Sequence, residues 1–293
     1  LHVEWYKVVW PALQQHAIPV VFSTQNAEHV YQARQAAAGR ADSGQTTRLR
    51  LFEQAACQRS RAVIVCSEPD RDVLQSLAPA TPFVTVENGV DLSFFSASDA
   101  DVLDEPPTIA FSGAMWYEPN IDAVTYFCRD ILPTVATRIP NVRFSIVGAD
   151  PPREVRRLQD ESPRVQVTGR VADVRPYIRR AAVVVVPIRV GGGTRLKILE
   201  AMAMKKAVVS TSIGCEGLAV CDGADILIAD TPSSFADAVI RVIGDPPMRA
   251  RLERSAVRLA QARYGWDRVL IPLQRLYECP LNANGRIPAA ASA

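Results

Sequence analysis

Short apolar runs alternate with amphipathic stretches along most of this chain, which predicts parallel βαβ layers. In the first part, strands are expected at His2–Glu4, Pro19–Ser23, Ala62–Cys66 and Phe83–Val86. Helices are expected near Val8–Ala17, Glu28–Ala38, Thr47–Arg59 and Pro69–Leu77. Residues 89–107, acidic, turn-rich and ending in Pro106-Pro107, mark the best candidate domain boundary. The second part alternates more clearly. Strands are expected over 108–113, 142–147, 164–168, 182–187, 207–210 and 225–229. Between and after them come helices over 119–138, 152–160, 173–180, 194–205, 233–243 and 246–263. Residues 279–293 are small and aperiodic, so a disordered tail is expected there.

The densest chemistry lies at residues 183–217. The β-branched run Val183–Val186 stops at Pro187 and Gly191-Gly192-Gly193, and a helical segment from Thr194 carries Arg195, Lys197 and Glu200. A loop at a helix N-terminus offers unpaired N–H groups and the positive dipole end, which suits phosphate. Arg195 and Lys197 fall in the expected first turn, where cations oppose the dipole by roughly 0.3–1 kcal/mol each until an anion binds. Glu200, three residues after Lys197, shares its helix face and can accept hydrogen bonds from sugar hydroxyls. The plainer reading is a solvated Lys197–Glu200 pair beside a flexible turn. Three consecutive glycines favour the anion site, because their backbone entropy is lost on ordering unless a close approach needs them.

The same residues carry a family resemblance. The stretch Gly191–Ala203, with the Val208–Thr211 strand end and Gly214–Leu218, resembles the donor-site segment of family-4 (group 1) retaining glycosyltransferases. Further segments match in order. Glu87–Asp91 resembles the interdomain NGVD link, Phe111–Ala114 the first strand and glycine turn of the donor domain, and Phe144–Gly148 the next strand. Val167–Val171, through Asp173, resembles the loop near the nucleotide base. The resemblance covers roughly residues 1–278 and implies two Rossmann-like parallel-sheet α/β domains facing a cleft, the GT-B type, with the first domain incomplete.

That resemblance implies a division into a partial acceptor-side domain (1–90), a link (91–107), a nucleotide-sugar domain (108–265), a closing helix (266–278) and the tail. It assigns Arg195, Lys197 and Glu200 to the catalytic site, the cations holding a diphosphate and the carboxylate a ribose. Gly113, Gly169, Arg170, Gly191, Gly192, Gly193 and Thr194 become donor-binding, with Gln25 and Asn26 on the acceptor side. The expected substrates are a UDP- or GDP-sugar and a saccharide or lipid-linked acceptor, with no separate cofactor and no metal. Polysaccharide or glycoconjugate assembly follows, in the cytoplasm and peripherally at the inner membrane face.

The chain also departs from the family pattern. Two glutamates eight apart are usual around the loop, and Gly192 stands at the first of these positions. Gln25 stands where a histidine is common, and the usual basic pair after Gly113 reads Met115–Asn120. The resemblance enters in mid-domain at Leu1, so an incomplete enzyme is expected: nucleotide binding with little transfer. A nucleotide-sugar-binding protein without activity and a sugar-nucleotide epimerase on the same architecture stay as alternatives.

Composition narrows the classes. At 293 residues the chain can bury a substantial core, and a net charge of +2 gives no argument for nucleic acid. Between Asp150 and Lys206, however, thirteen Lys/Arg face six Asp/Glu, a local field near +7 in which a diphosphate would sit well. Six cysteines lack any CxxC pair, with Cys66 and Cys128 expected as buried thiols in a reducing compartment. Neither G-x-G-x-x-G after a strand nor G-x-x-x-x-G-K-[ST] occurs, against a dinucleotide oxidoreductase and a P-loop nucleotidase.

Overall fold

The computed structural model describes residues 1–4, 6–14, 19–97 and 103–278. The expected tail at 279–293 and part of the link, residues 98–102, therefore lie outside the described residues. The strands are β1 (His2–Glu4), β2 (Val21–Thr24), β3 (Ala62–Val65), β4 (Phe83–Thr85), β5 (Thr108–Ser112) and β6 (Arg143–Val147). They continue with β7 (Val165–Gly169), β8 (Val183–Val186), β9 (Val208–Ser210) and β10 (Leu227–Ile228). The helices of the first part are α1 (Tyr6–Leu13), α2 (Glu28–Ala37), α3 (Ser43–Arg59) and α4 (Glu68–Leu77). Those that follow are α5 (Glu118–Tyr126), α6 (Leu132–Arg138), α7 (Arg153–Glu161), α8 (Arg175–Arg180) and α9 (Leu196–Ala203). The chain then forms α10 (Pro232–Gly244), α11 (Pro246–Arg263), α12 (Trp266–Val269) and α13 (Ile271–Glu278).

Two wholly parallel sheets result. The first runs β1-β2-β3-β4 and the second β10-β9-β8-β5-β6-β7. In the second the sequence order reverses between β5 and β8, so the connections leave those two strand ends in opposite directions and open a crevice. Strands such as Val183–Val186 are apolar throughout because helices cover both faces, and all four residues are fully buried. One core surrounds the second sheet, including Phe111, Phe127, Phe144 and Phe235. The first sheet packs Val63 and Val65 into one cluster, while Ala62, Ile64 and Val84 meet Leu276 of α13 on the other face. Helix α13 thus returns to cover the first sheet.

Three expectations need correction. The closing helix over 266–278 is two helices, α12 and α13, with Pro272 in the first turn of the second, where its missing N–H does no harm. The single helix over 119–138 is interrupted by a π-helical turn at Phe127–Ile131. Helix α9 begins at Leu196 rather than Thr194. Gly193 adopts φ +69°, and Arg195 is extended at φ −99° and ψ 96°, so the chain turns before helical bonding starts. Arg195 is therefore the residue preceding the helix and not part of its first turn.

Candidate functional site

A cleft of about 510 Å³ opens at the C-terminal ends of β5, β6 and β8, where the sheet order reverses. It gathers Gly113, Arg170, Thr194, Arg195, Lys197 and Glu200, together with Ser112, Tyr117 and Asn120. Gly113 follows β5, and an added β-carbon there would lie 2.7 Å from Lys197 Nζ and 2.8 Å from Asn120 Nδ2. Its lack of a side chain is what lets the ammonium sit against the turn. Lys197 donates to Asn120 Oδ1 at 2.7 Å and lies over the Phe111 ring at 3.9 Å. Asn120 is held in turn by donating to the Ala114 carbonyl at 2.8 Å.

The electrostatics follow from this packing. Burial, and then the Arg195 charge, push the Lys197 ammonium down to about 7 against the pull of Glu200. Burial raises the Glu200 carboxyl, with Lys197 opposing. Tyr117 is pushed up to about 12, chiefly by burial. Ser112 is buried at the cleft, and its hydroxyl finds no partner among the described residues. The cleft thus brings together an ammonium whose proton affinity burial lowers, a buried hydroxyl without a partner among the described residues and a raised carboxyl.

Arg195 takes a different place from the one its sequence position suggests. Its side chain turns back so that Nη1 donates to the carbonyls of Gly192 and Gly193. Nε and Nη2 are buried without a partner among the described residues. Burial leads the shift that lowers this guanidinium from its ordinary value. It thus braces the glycine loop before it can meet any diphosphate. Gly191 is shaped by the same side chain, since a β-carbon there would fall 2.1 Å from Arg195 Nη2.

The remaining expected residues lie around this centre. Thr194 accepts a hydrogen bond at 2.5 Å from Asn88, in the segment Glu87–Asp91 that precedes the second domain. Gly192 and Gly193 face the first domain: β-carbons there would lie 2.9 Å from Asn26 Nδ2 and 2.9 Å from the Gln25 carbonyl. The loop carrying Gln25 and Asn26 therefore packs directly on the glycine loop. Arg170 is exposed and pairs with Asp150 at 2.9 Å, while Gly169, at φ +70°, has open space beside it and is not part of the cleft wall. Asp173 accepts from the Arg175 backbone N–H at 2.9 Å, at the start of α8. Tyr117 lines the cleft, whereas Trp116 is 68% exposed. Cys66 is buried and Cys128 half-buried, and burial raises both thiols to about 12.

Sequence reasoning missed Asn120, Ser112 and Arg34, and gave Glu216 no partner. Arg34 on α2 donates to the Gly191 carbonyl at 2.8 Å and grips Glu216 at 2.5 and 2.7 Å. Asn120 sits in the segment that departs from the family pattern, and the polar residue at the first turn of α5 was its only signal. Arg34 carried none.

Fold and site together define a GT-B-type protein: two parallel-sheet α/β domains with a polar cleft at the strand ends of the second. Residues 106–245 match the family Glycosyl transferases group 1. The chain is 28% identical over 220 residues to the phosphatidyl-myo-inositol mannosyltransferase of Mycolicibacterium smegmatis, covering 72% of this chain and 55% of that one. Among solved structures it resembles sucrose-phosphate synthase from Thermosynechococcus elongatus, with TM-score 0.77 and 22% identity over 94% of this chain and 72% of that one. It also resembles Anabaena HepE in complex with UDP, with TM-score 0.71 and 16% identity, covering 94% of this chain and 77% of that one. The chain spans a little over half the length of the mannosyltransferases it matches. Among the described residues, no helix is long and apolar enough to cross a membrane, and no three His, Cys, Asp or Glu side chains are grouped to hold a metal.

Proposed function

We propose that this chain binds a nucleoside-diphosphate sugar and transfers the sugar, with retention, to a saccharide or lipid-linked acceptor. The observation that carries the reading is Lys197, buried on Gly113 at the sheet's reversal point with Glu200 one turn away. In the transfer, the bond from the anomeric carbon to the diphosphate breaks as the acceptor oxygen bonds to that carbon from the same face and gives its proton to the departing diphosphate oxygen. Negative charge then grows on the departing diphosphate. Lys197 and the first N–H groups of α9 stabilise it without a metal, and Glu200 accepts from the ribose hydroxyls. UDP or GDP is the expected nucleotide. The UDP bound by the structurally similar HepE supports the former. A lipid-linked acceptor, in keeping with the name of the mannosyltransferase relative, would place the work at the inner face of a membrane.

Calorimetric titration with UDP, GDP and their sugars tests the binding half. Failure of both nucleotides to bind would overturn the reading. The pH profile adds a sharper check. A Lys197 amine that titrates near 7 must take up a proton to hold an anion, so affinity is expected to fall as pH rises from 7 to 9. The fall approaches tenfold per pH unit, and the binding heat should vary with the ionisation enthalpy of the buffer. A flat profile would remove Lys197 from the diphosphate.

One observation favours the second reading, a nucleotide-sugar-binding protein without transfer. Gly192 occupies the position of the family's first glutamate, and a β-carbon there would also come within 3.2 Å of Tyr31 Cβ. Nucleotide release that depends on added acceptor separates transfer from binding alone, and release of free epimerised sugar would indicate the epimerase.

A further inference from the structure

We infer that Arg34, in the first domain, is a positioning residue that shapes the glycine loop of the second into an anion-binding nest. The inference rests on the donor-site reading above and adds a residue that never touches the donor. Two guanidinium groups hold the three carbonyls of the loop. Arg34, from α2, takes the Gly191 carbonyl, and Arg195 takes those of Gly192 and Gly193. In a trans peptide the carbonyl and the following N–H point in opposite directions. Fixing these carbonyls therefore turns the N–H groups of Gly192, Gly193 and Thr194 each away from the guanidinium that its preceding carbonyl meets. None of the three donates to another backbone group among the described residues. Successive unpaired N–H groups of this kind form a concavity that favours anions.

Arg34 is itself held. Glu216, just beyond β9, receives it through both carboxylate oxygens at 2.5 and 2.7 Å, and the two side chains are 31% and 32% exposed. The glycine loop is tied to the first domain at a second point. Asp122 accepts from Arg189 at 2.7 and 3.1 Å and from Arg40, which lies between α2 and α3, at 2.5 Å. Arg189 precedes Gly191 by only two residues. The loop thus takes its shape with the two domains in contact, and an anion on the nest favours that contact in return.

The test uses the whole chain as wild type, Arg34→Ala and Arg34→Lys, with two readouts. In UDP and GDP titrations, Arg34→Ala is expected to weaken affinity about tenfold, as for loss of a charge-assisted hydrogen bond. Arg34→Lys should recover part of that, because an ammonium cannot span both the carbonyl and the carboxylate as the planar fork does. Hydrogen exchange of a peptide covering residues 188–196, without nucleotide, should be faster in Arg34→Ala than in wild type, at an unchanged melting temperature. Unchanged exchange overturns the inference whatever the affinities do, since a weaker affinity alone would mean direct contact rather than positioning. Faster exchange with unaltered affinity also overturns it. If wild type binds neither nucleotide, the donor-site reading fails, and the inference fails with it only if exchange is also unchanged; faster exchange then leaves Arg34 as the residue shaping a nest for inorganic diphosphate, titrated in the same way.

Discussion

Lys197→Ala is expected to weaken UDP or GDP binding by roughly 1.5–3 kcal/mol, about 10- to 150-fold, because a charge-assisted hydrogen bond to the diphosphate is lost. Calorimetry at pH 7 reads it directly, and unchanged affinity would rule out the assigned clamp. The same variant separates binding from folding. The ammonium lies on Phe111 with Asn120 as its single hydrogen-bond partner among the described residues, and burial has lowered its proton affinity to about 7. In the unfolded chain the same amine would titrate near its usual 10.5. Between those values the unfolded state binds the extra proton, so folding is favoured as pH rises from 7 towards 10.5 and opposed below that window. Removing the charge relieves that opposition. Lys197→Met, which keeps an apolar stem in place, should therefore hold or raise the melting temperature at pH 7 while losing affinity. A Lys197→Met protein that loses stability and affinity together would show that the ammonium serves the fold.

Gly148→Ala is expected to lower stability by about 3 kcal/mol or more, at the upper end of what overpacking does. A β-carbon at Gly148 would lie 1.7 Å from the Gly113 carbonyl oxygen and 2.8 Å from its carbonyl carbon. Neither backbone can move aside freely. Gly113 N–H donates to the Val147 carbonyl at 3.0 Å, and Met115 N–H to that of Ala149 at 2.9 Å, so the two turns continue the β5–β6 ladder. For a chain of this size the melting temperature should fall by about 6–12 °C. Any relief by shifting Gly113 would disturb the contact with Lys197, so nucleotide affinity should fall as well. Gly244→Ala, at the end of α10 with nothing within 4 Å of the added carbon, is the control and should change little. Equal melting temperatures for the two variants would show that the two glycine turns are not in the contact described.

How much was legible beforehand depends on the range of the information. Apolar runs such as Val183–Val186 and the amphipathic stretches around them are local patterns of period 2 and 3.6. They placed most of the parallel strands and helices, and the Gly191–Thr194 turn, within a few residues. The ordered motifs brought Gly113, Arg170, Thr194, Lys197 and Glu200 to one cleft, because residues at strand C-termini of one parallel sheet share one edge. The errors were local as well. Helix α9 was begun two residues early because propensity does not register that Gly193 turns left-handed and that the Arg195 side chain folds back onto the loop. Pro272 in the first turn of α13 and the π turn in the α5–α6 helix were likewise read through.

What the sequence determined by itself was the layer pattern, the glycine loop and the residue types able to meet an anion and a sugar. Tertiary structure alone decided which of them act together. Asn120 holds Lys197 from 77 positions away, and Arg34 holds Gly191 from 157. Gly148 has to be a glycine because the Gly113 backbone from the adjacent strand meets it, and Gly113 because the Lys197 and Asn120 side chains press on it. Side-chain periodicity records only which face a residue turns to the core. Which partner it finds on that face is set by strand order, register and the contact between two domains, and those are fixed by the packing of the whole chain.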